Sequence, residues 1–367
     1  MVKRPRAQDQ RRRIAPAPFG KVIERPGPGI ERKGHGYSEG ARASVSEVSY
    51  HDTVNVLQAV DAAASGPFDR AEWFALLAKS GAKPLVALAS DGAGTTAMVL
   101  SETHGDIQSL RNWYTFGWRP LGPTSALGGI AAGLRSRAHR VTLWPVPDED
   151  GSAAALAAAF RAAGWRVTVE QCDHNHVLPV RGRSFAEYWE GRPGQMRTTL
   201  KRKAKKVEVA ILDCFDDAAW SEYEAIYAES WKPEEGDPAL LRAFAEEESA
   251  AGRIRLGVAR AEGQAVAAQF WTVENGIAYI HKLAHRESAK PLSAGTTLSA
   301  ALFERVIDVD RVDLVDFGTG NDPYKREWME IDRPRYRIDC LDPRQPAVWP
   351  QLARRVVRAL ARGLRAS

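Results

Sequence analysis

Side chains that can move protons and stabilise charge are concentrated in residues 316–328, which read Asp-Phe-Gly-Thr-Gly-Asn-Asp-Pro-Tyr-Lys-Arg-Glu-Trp. Tyr324 supplies a phenol that can protonate a leaving group, and Lys325 supplies an ammonium that can stabilise an oxyanion. Asp316 and His281 are the candidates for a base, because both lie on predicted strands that border one cleft. In the structural alternative, the phenol caps a sheet edge and the ammonium pairs with a nearby aspartate.

Two predicted strand–loop–helix units position these side chains. The alternation of apolar and charged residues at 311–315 predicts a strand, and the two glycines after it permit a sharp turn into a helix. The preceding unit has a predicted strand at 276–283 and an apolar helix at 298–307. Because α/β enzymes tend to place their chemistry at such loops, we expect both units to border one site.

The start of the helix in the preceding unit is a candidate anion site. Ser293, Ala294, Gly295 and Thr296 open this helix. A helix that begins on such residues leaves free backbone N–H groups and a positive dipole end facing the loop. We therefore predict that a phosphate or pyrophosphate binds there.

Residues 197–206 contain six Lys and Arg side chains on a helix-like stretch. Arg197 and Lys201 are four residues apart and share a helix face. Such a cluster can bind a phosphate-rich ligand, for example coenzyme A, a nucleotide sugar or the acceptor stem of a tRNA. The alternative is a solvated helix face.

The segment 111–123 is irregular and dense in aromatic residues. Trp113, Tyr114 and Trp118 stand near Arg and Asn residues, so their rings can line a substrate groove by stacking and cation–π contacts. The alternative is a well-packed loop at a domain interface.

Four stretches together resemble the tandem-domain branch of the GNAT superfamily of acyltransferases, which includes FemAB-like peptidyl transferases and cellulose-biosynthesis-associated acetyltransferases. They are Tyr188-Trp189 with 197–204, the strand 276–283, Ser293-Ala294-Gly295, and 316–318 through Tyr324-Lys325 to Trp328. The resemblance covers residues 45–343. It implies an α/β fold of two tandem GNAT-like domains, each with a mixed, largely antiparallel sheet flanked by helices.

The resemblance also implies an activity, namely transfer of an acetyl group from acetyl-CoA to an amine on a sugar or cell-envelope precursor. Tyr324 then resembles the leaving-group acid, and Lys325 resembles the cation that stabilises developing negative charge. Residues 290–296 keep one glycine where the typical pyrophosphate turn has two. The donor is therefore open between acyl-CoA and an aminoacyl-tRNA, as in FemAB-like peptidyl transfer. A third hypothesis is an inactive scaffold that tethers an envelope-synthesis complex.

The length of 367 residues suits two domains. A helix-rich start followed by strands occurs twice, which predicts one domain at 44–180 and another at 181–343. The resemblance implies that the first domain shapes the acceptor groove and that the second binds the donor. Residues 1–43 are rich in Arg, Pro and Gly and are predicted to be disordered. In the first domain we expect helices at 53–63, 70–79 and 153–163, and strands at 84–89, 96–100, 141–146 and 165–169.

Charge is distributed unevenly along the chain. Residues 1–42 hold eleven Lys/Arg against four Asp/Glu, and residues 344–367 hold six Arg and no acid, whereas the body between them is acidic. The basic tails therefore do not predict a nucleic-acid-binding core. Apolar residues recur at helical spacing in 344–367 and predict a basic amphipathic helix. It can lie on an anionic membrane or dock on the acidic body, and we favour docking.

The sequence argues against several classes of protein. No apolar stretch approaches the length of a membrane span, and no Gly-x-Ser-x-Gly or Walker-type motif occurs. Cys172, Cys214 and Cys340 form no Cys-x-x-Cys pair and indicate a reducing compartment. We predict a cytoplasmic location, with contact to the inner membrane through the basic tails left open.

No metal site is predicted. His281 and His285 lie on one predicted strand, but the sequence offers no third ligand near them. We interpret His174-Asn175-His176 as a loop at the domain boundary.

Overall fold

The structure, a computed structural model, describes residues 47–60 and 64–366. The predicted disorder of residues 1–43 lies outside the described residues, as do residues 61–63 of the first predicted helix. The part of that helix that is described is a 3-10 helix, Val54–Ala59, begun by Thr53. Valines at two of its six positions disfavour a longer α-helix because their branched side chains restrict χ1.

The described strands form one mixed sheet. In chain order they are β1 (Ser49–His51), β2 (Leu85–Asp91), β3 (Gly94–Thr103), β4 (Asp106–Ser109), β5 (Arg140–Val146), β6 (Arg166–Pro179), β7 (Glu208–Leu212), β8 (Ile254–Ala261), β9 (Gln264–Glu274), β10 (Ile277–His285), β11 (Leu314–Thr319) and β12 (Ile331–Leu341). Their order across the sheet is β1-β2-β3-β4-β5-β12-β6-β11-β10-β9-β8-β7. The pairs β4–β5 and β10–β11 are parallel, and the other pairs are antiparallel.

Ten α-helices flank this sheet in the described part of the chain. They are α1 (Ala71–Lys79), α2 (Leu127–Gly133), α3 (Ser152–Ala162), α4 (Phe185–Glu190), α5 (Gly194–Lys203), α6 (Asp217–Ala228), α7 (Pro238–Ala250), α8 (Ala294–Glu304), α9 (Lys325–Trp328) and α10 (Trp349–Ala366). A π-helical segment, Arg305–Val309, continues α8. A mixed, largely antiparallel sheet flanked by helices confirms the predicted fold class. None of the described helices combines the length and the apolar character that crossing a bilayer requires.

The last strand joins the two halves of the chain. β12 lies between β5 and β6 and is antiparallel to both, so a C-terminal strand completes the first half of the sheet. β6 pairs with β11 on its other side. The halves also share a core, in which the rings of Trp73 on α1 and Phe244 on α7 lie 5.2 Å apart. A buried ion pair between Arg70 and Glu248 adds to this contact.

Two local predictions are wrong. The residues 174–176, interpreted as a loop, lie inside β6, which runs to Pro179. Asn175 is fully buried there, and polar residues are tolerated inside a strand when their hydrogen bonds are satisfied. The strand predicted at 311–315 begins only at Leu314, because Arg311 has a positive φ of 54°.

Candidate active site between strands β10 and β11

Strands β10 and β11 diverge at the candidate site. They pair in parallel only where 277–279 face 314–316. Beyond that point β10 stays paired with β9 as far as His285, whereas β11 pairs with β6. The gap between the strands is lined by residues 280–283 on one side and 317–319 on the other. Main-chain and side-chain groups of both strands therefore face one cavity.

This cavity, called the cleft below, has a volume of about 590 Å³. Five of the predicted site residues line it: Trp113, Tyr114, His281, Tyr324 and Lys325. The structure thus brings the aromatic segment of the first half to the strand–loop–helix unit of the second.

Lys325 is buried at the start of α9, and its ammonium is fixed to the end of β11. Its Nζ donates to the carbonyl oxygens of Phe317, at 3.1 Å, and Thr319. Burial lowers the pKa of Lys325, while the carboxylates of Asp322, Asp316 and Asp173 act in the opposite direction. Since an ammonium has three N–H donors, one remains for a ligand in the cleft.

Tyr324 immediately precedes α9, and its ring packs edge-on against Phe317, with centroids 5.7 Å apart. Burial raises the pKa of the Tyr324 phenol, and the charge of Asp322 adds to this increase. The phenol is therefore protonated at neutral pH. A group that protonates a leaving thiolate needs this state.

Asp316 shapes the turn after β11. Its Oδ1 accepts hydrogen bonds from Asn175 Nδ2 and from the backbone N–H of Gly318, both at 2.7 Å. Gly318 has a φ of +66°, and a Cβ atom there would lie 2.7 Å from the ring of Phe116. Burial raises the pKa of Asp316, although Arg335 and these hydrogen bonds act against the increase. Asp316 lines a separate cavity of about 230 Å³, so its contacts indicate a positioning role.

His281 is packed among aromatic rings. Its ring centroid lies 5.0 Å from those of Phe244 and Phe270 and 5.5 Å from that of Phe116. Nε2 lies 2.8 Å from the Thr272 hydroxyl oxygen. Burial lowers the pKa of His281 to about 3, so the ring is neutral at physiological pH and a weak proton acceptor. These surroundings favour a packing role.

A β-bulge after Ile280 shifts the register of β10, so His285 does not share the surroundings of His281. Its ring centroid is 4.4 Å from that of Trp231. Across residues 47–60 and 64–366, no three His, Cys, Asp or Glu side chains are grouped so that they could hold a metal ion.

A second cavity, called the donor groove below, opens at the N-terminus of α8 and has a volume of about 460 Å³. All four residues predicted to bind an anion line it, Ser293 through Thr296. The groove and the cleft share four lining residues, Leu283, Phe317, Asp322 and Tyr324, so the two cavities meet beside the phenol.

The backbone at this helix start favours an anion. Ser293 has a left-handed conformation, with φ of 54°, and its side chain does not cap α8. Lys203 at the end of α5 donates from Nζ to Ser293 Oγ at 3.0 Å, which brings a cation to the groove. Positive charge and uncapped N–H groups together suit a phosphate.

The other predicted cations lie farther out. Arg197 and Lys201 are exposed on α5, and neither side chain lines the donor groove. Of the basic stretch, Lys203 is the residue that bonds a lining residue of the groove, Ser293.

The three predicted aromatic residues differ in position. Trp113 is 59% exposed at the cleft, whereas Tyr114 is buried and its phenol donates to Glu235 at 2.8 Å. Trp118 is 1% exposed in the core, and its Nε1 donates to the carbonyl oxygen of Val99 at 2.8 Å. Trp118 does not line the cleft.

Two lysines of the cleft were missed by the sequence analysis. Lys282 is buried and pairs with Glu235, with 2.7 Å between Nζ and Oε1. Lys232 has no ion pair among the described residues, and burial together with Lys282 and Lys325 lowers its pKa to about 8. Both were missed because a single lysine on a strand or after a helix gives no distinctive sequence pattern.

Comparisons with known proteins concern the domain and the fold. Residues 194–326 match the family model described as an acetyltransferase (GNAT) domain. FemX has a similar structure, with a TM-score of 0.59 and 11% identity over 83% of this chain and 99% of that one. The C-terminal domain of a putative lysylphosphatidylglycerol synthetase from Agrobacterium fabrum gives a TM-score of 0.50 and 12% identity, over 74% and 87% of the two chains. No curated protein sequence matches significantly.

Residues 194–326, less than half of the chain, are therefore similar to a GNAT acetyltransferase domain, which supports the acyltransferase class, and the fold of the chain is similar to that of FemX. The family match begins at α5 and ends in α9, so it contains β10, β11 and the start of α8, whereas Trp113 and Tyr114 of the cleft lie outside it.

Proposed function

We propose that this protein is an N-acyltransferase that moves an acetyl or other acyl group from acyl-CoA to an amine. One observation carries the proposal: the donor groove and the cleft meet at Tyr324, beside the ammonium of Lys325. A thioester in the groove and an amine in the cleft would then approach each other beside a proton donor, Tyr324, and a cation that can stabilise negative charge, Lys325.

We infer that the donor binds at the start of α8. Its pyrophosphate binds the N–H groups at 293–296, near Lys203, and its pantetheine arm runs into the gap between β10 and β11. The domain division that we expect from the sequence follows this arrangement, with 181–343 binding the donor and 44–180 contributing Trp113 and Tyr114 to the acceptor side.

The reaction uses two side chains. The amine nitrogen attacks the thioester carbonyl carbon, a C–N bond forms, and Lys325 donates to the resulting oxyanion. Collapse of the intermediate breaks the C–S bond, and Tyr324 protonates the thiolate. The phenolate then takes the surplus proton of the acylated nitrogen, which restores the enzyme. Asp316 and Asn175 hold the turn that carries this chemistry.

The acceptor binds at the open side of the cleft. Trp113 offers an exposed ring for stacking, and Lys232 offers an ammonium without an ion-pair partner among the described residues. An acceptor with an anionic group beside its amine fits these two residues. We propose an amine-bearing sugar or cell-envelope precursor, to which the name of the Agrobacterium fabrum relative also points.

A second candidate is an aminoacyl-tRNA donor. The exposed cations of α5, Arg197 and Lys201, favour it because they offer a surface for a phosphate backbone outside the groove. Binding of this donor would weaken steeply as salt is raised.

Titration calorimetry with acetyl-CoA at two salt concentrations tests the proposal. A Cβ atom at Gly295 would lie 3.3 Å from His285 Nδ1, so Gly295→Leu fills the groove and should abolish binding. Gly128→Leu is a matched control, because Gly128 is also the second residue of a helix and a Cβ atom there meets nothing within 4 Å. Saturable binding that Gly295→Leu removes and Gly128→Leu retains supports the proposal. No binding of any acyl-CoA, together with salt-sensitive tRNA binding, favours the second candidate.

A further inference from the structure

The C-terminal helix α10 leaves apolar side chains uncovered. Trp349, Val356 and Val357 are 57%, 59% and 65% exposed. They are seven and eight residues apart, which places them on one side of a helix. Three of the large apolar side chains that are exposed in the described part of the chain thus belong to one helix.

The opposite side of α10 is attached to the protein. Arg355 pairs with Asp339 on β12 and donates to the carbonyl oxygen of Arg166 at 3.4 Å. Docking on the body therefore occurs through the basic side of the helix. The sequence of α10 has five arginines and no acidic residue, so its net charge is strongly positive.

We propose that α10 is a lipid-binding site that holds this protein on an anionic bilayer surface. Its apolar side enters the boundary between headgroups and acyl chains, while arginines that do not pair with the body, such as the exposed Arg354, lie among the lipid phosphates. Tryptophan is suited to this boundary because its ring is apolar and its N–H is polar. The helix lies in the interface and does not span it.

The positive charge of α10 favours an anionic lipid surface over a second copy of the chain as the partner of its apolar side. Pairing two copies through this side would bring together two strongly basic helices, neither of which contains an acidic residue, and this is unfavourable. An anionic lipid surface supplies both the apolar layer and the negative charge. This inference does not depend on the acyl-transfer proposal.

Vesicle sedimentation of the full chain tests the inference. We expect the protein to sediment with phosphatidylcholine vesicles that contain 30 mol% phosphatidylglycerol, as a test composition, and not with pure phosphatidylcholine. The variant Trp349→Ser/Val356→Ser/Val357→Ser should bind the anionic vesicles at least ~10-fold more weakly, since each buried apolar side chain contributes. Val309→Ser/Ile331→Ser is the matched control, because it removes exposed apolar side chains elsewhere.

Three outcomes would overturn the inference. They are absence of binding to either vesicle, equal binding to both vesicles, and unchanged binding of the triple variant. A dimer in solution that the triple variant abolishes, without lipid binding, would assign the surface to a second copy. Circular dichroism shows whether the variant is folded, and its acyl transfer in solution should equal that of the native chain.

Discussion

At the scale of single residues, two lysines of the cleft have lowered pKa values, the buried Lys325 and the half-buried Lys232. Lys325 gains its fixed position from two carbonyl oxygens, and Lys232 gains its lowered pKa from burial and two neighbouring ammonium groups. The cleft therefore concentrates positive charge where an oxyanion and an anionic acceptor would lie.

The pH dependence of acceptor binding follows from Lys232. Its pKa of about 8 means that the side chain is charged below pH 8 and loses its charge as pH rises through this value. We expect the KM for an anionic amine acceptor to rise between pH 7.5 and 9. Lys232→Gln should raise the KM at pH 7 by about 10-fold or more, because a hydrogen bond to a charged group contributes roughly 1.5–3 kcal/mol.

Two further variants make this pH test specific. Lys232→Arg keeps its charge and should move the rise in KM to higher pH. Lys79→Gln, at a lysine that is 74% exposed, is the control for loss of a positive charge. A KM that is independent of pH and of Lys232→Gln would remove this lysine from the acceptor site.

Sequence identified part of the site at this scale. Tyr324 and Lys325 were selected because a turn and a helix start place polar groups at a strand end. Lys232 was not selected, because its lowered pKa depends partly on Lys282 and Lys325, which are distant from it in sequence. Trp118 shows the converse, since an aromatic-rich segment does not reveal which ring faces the core.

At the scale of elements, the site depends on the divergence of β10 and β11. Periodicity predicted both strands, but it does not show where two strands stop pairing. β6 pairs with the other edge of β11, at 314–316 and again at Thr319, and supplies Asn175 to the turn. Gly320 N–H also donates to the carbonyl oxygen of His174 on this strand, at 3.0 Å.

Loss of Asn175 tests the role of β6. Asn175→Ala removes the hydrogen bonds to Asp316 and Arg335, so we expect a loss of about 1–3 kcal/mol in the free energy of unfolding. Transfer should slow as well, because the turn at 317–320 loses its support. Urea denaturation and rate assays measure both effects. Asn321→Ala, at an exposed residue of the same loop, is the control. Equal effects of the two variants would contradict the account.

At the scale of the whole molecule, the two halves of the chain depend on each other. Residues of both 44–180 and 181–343 line the cleft, and one sheet and one core run through both. Sequence predicted two similar halves. It did not predict that β12 inserts between β5 and β6, because the partner of a strand is not encoded in its own periodicity.

Division of the chain after residue 180 tests this dependence. A fragment of 43–180 lacks β11 and β12, so β6 loses both of its neighbours. We expect this fragment to aggregate or to lack a cooperative unfolding transition, because exposed strand edges pair with other chains. The fragment 43–343, which keeps the whole sheet, should unfold cooperatively in urea. Independent cooperative unfolding of 43–180 would show that the halves are autonomous.

We propose that acyl transfer occurs where the donor groove meets the cleft. The most direct test is release of the CoA thiol from acetyl-CoA in the presence of a panel of amines, with mass spectrometry of the product. We expect amine-dependent release and an N-acetylated product, with kcat reduced about 10²–10³-fold in Lys325→Ala, the loss typical of one oxyanion donor.

Arg326→Ala is the control for this test, because Arg326 is the exposed neighbour of Lys325 and bonds only Asn321 among the described side chains. Acetyl-CoA should still bind to Lys325→Ala. Unchanged turnover in Lys325→Ala, or release of thiol without an acylated amine, would contradict the claim.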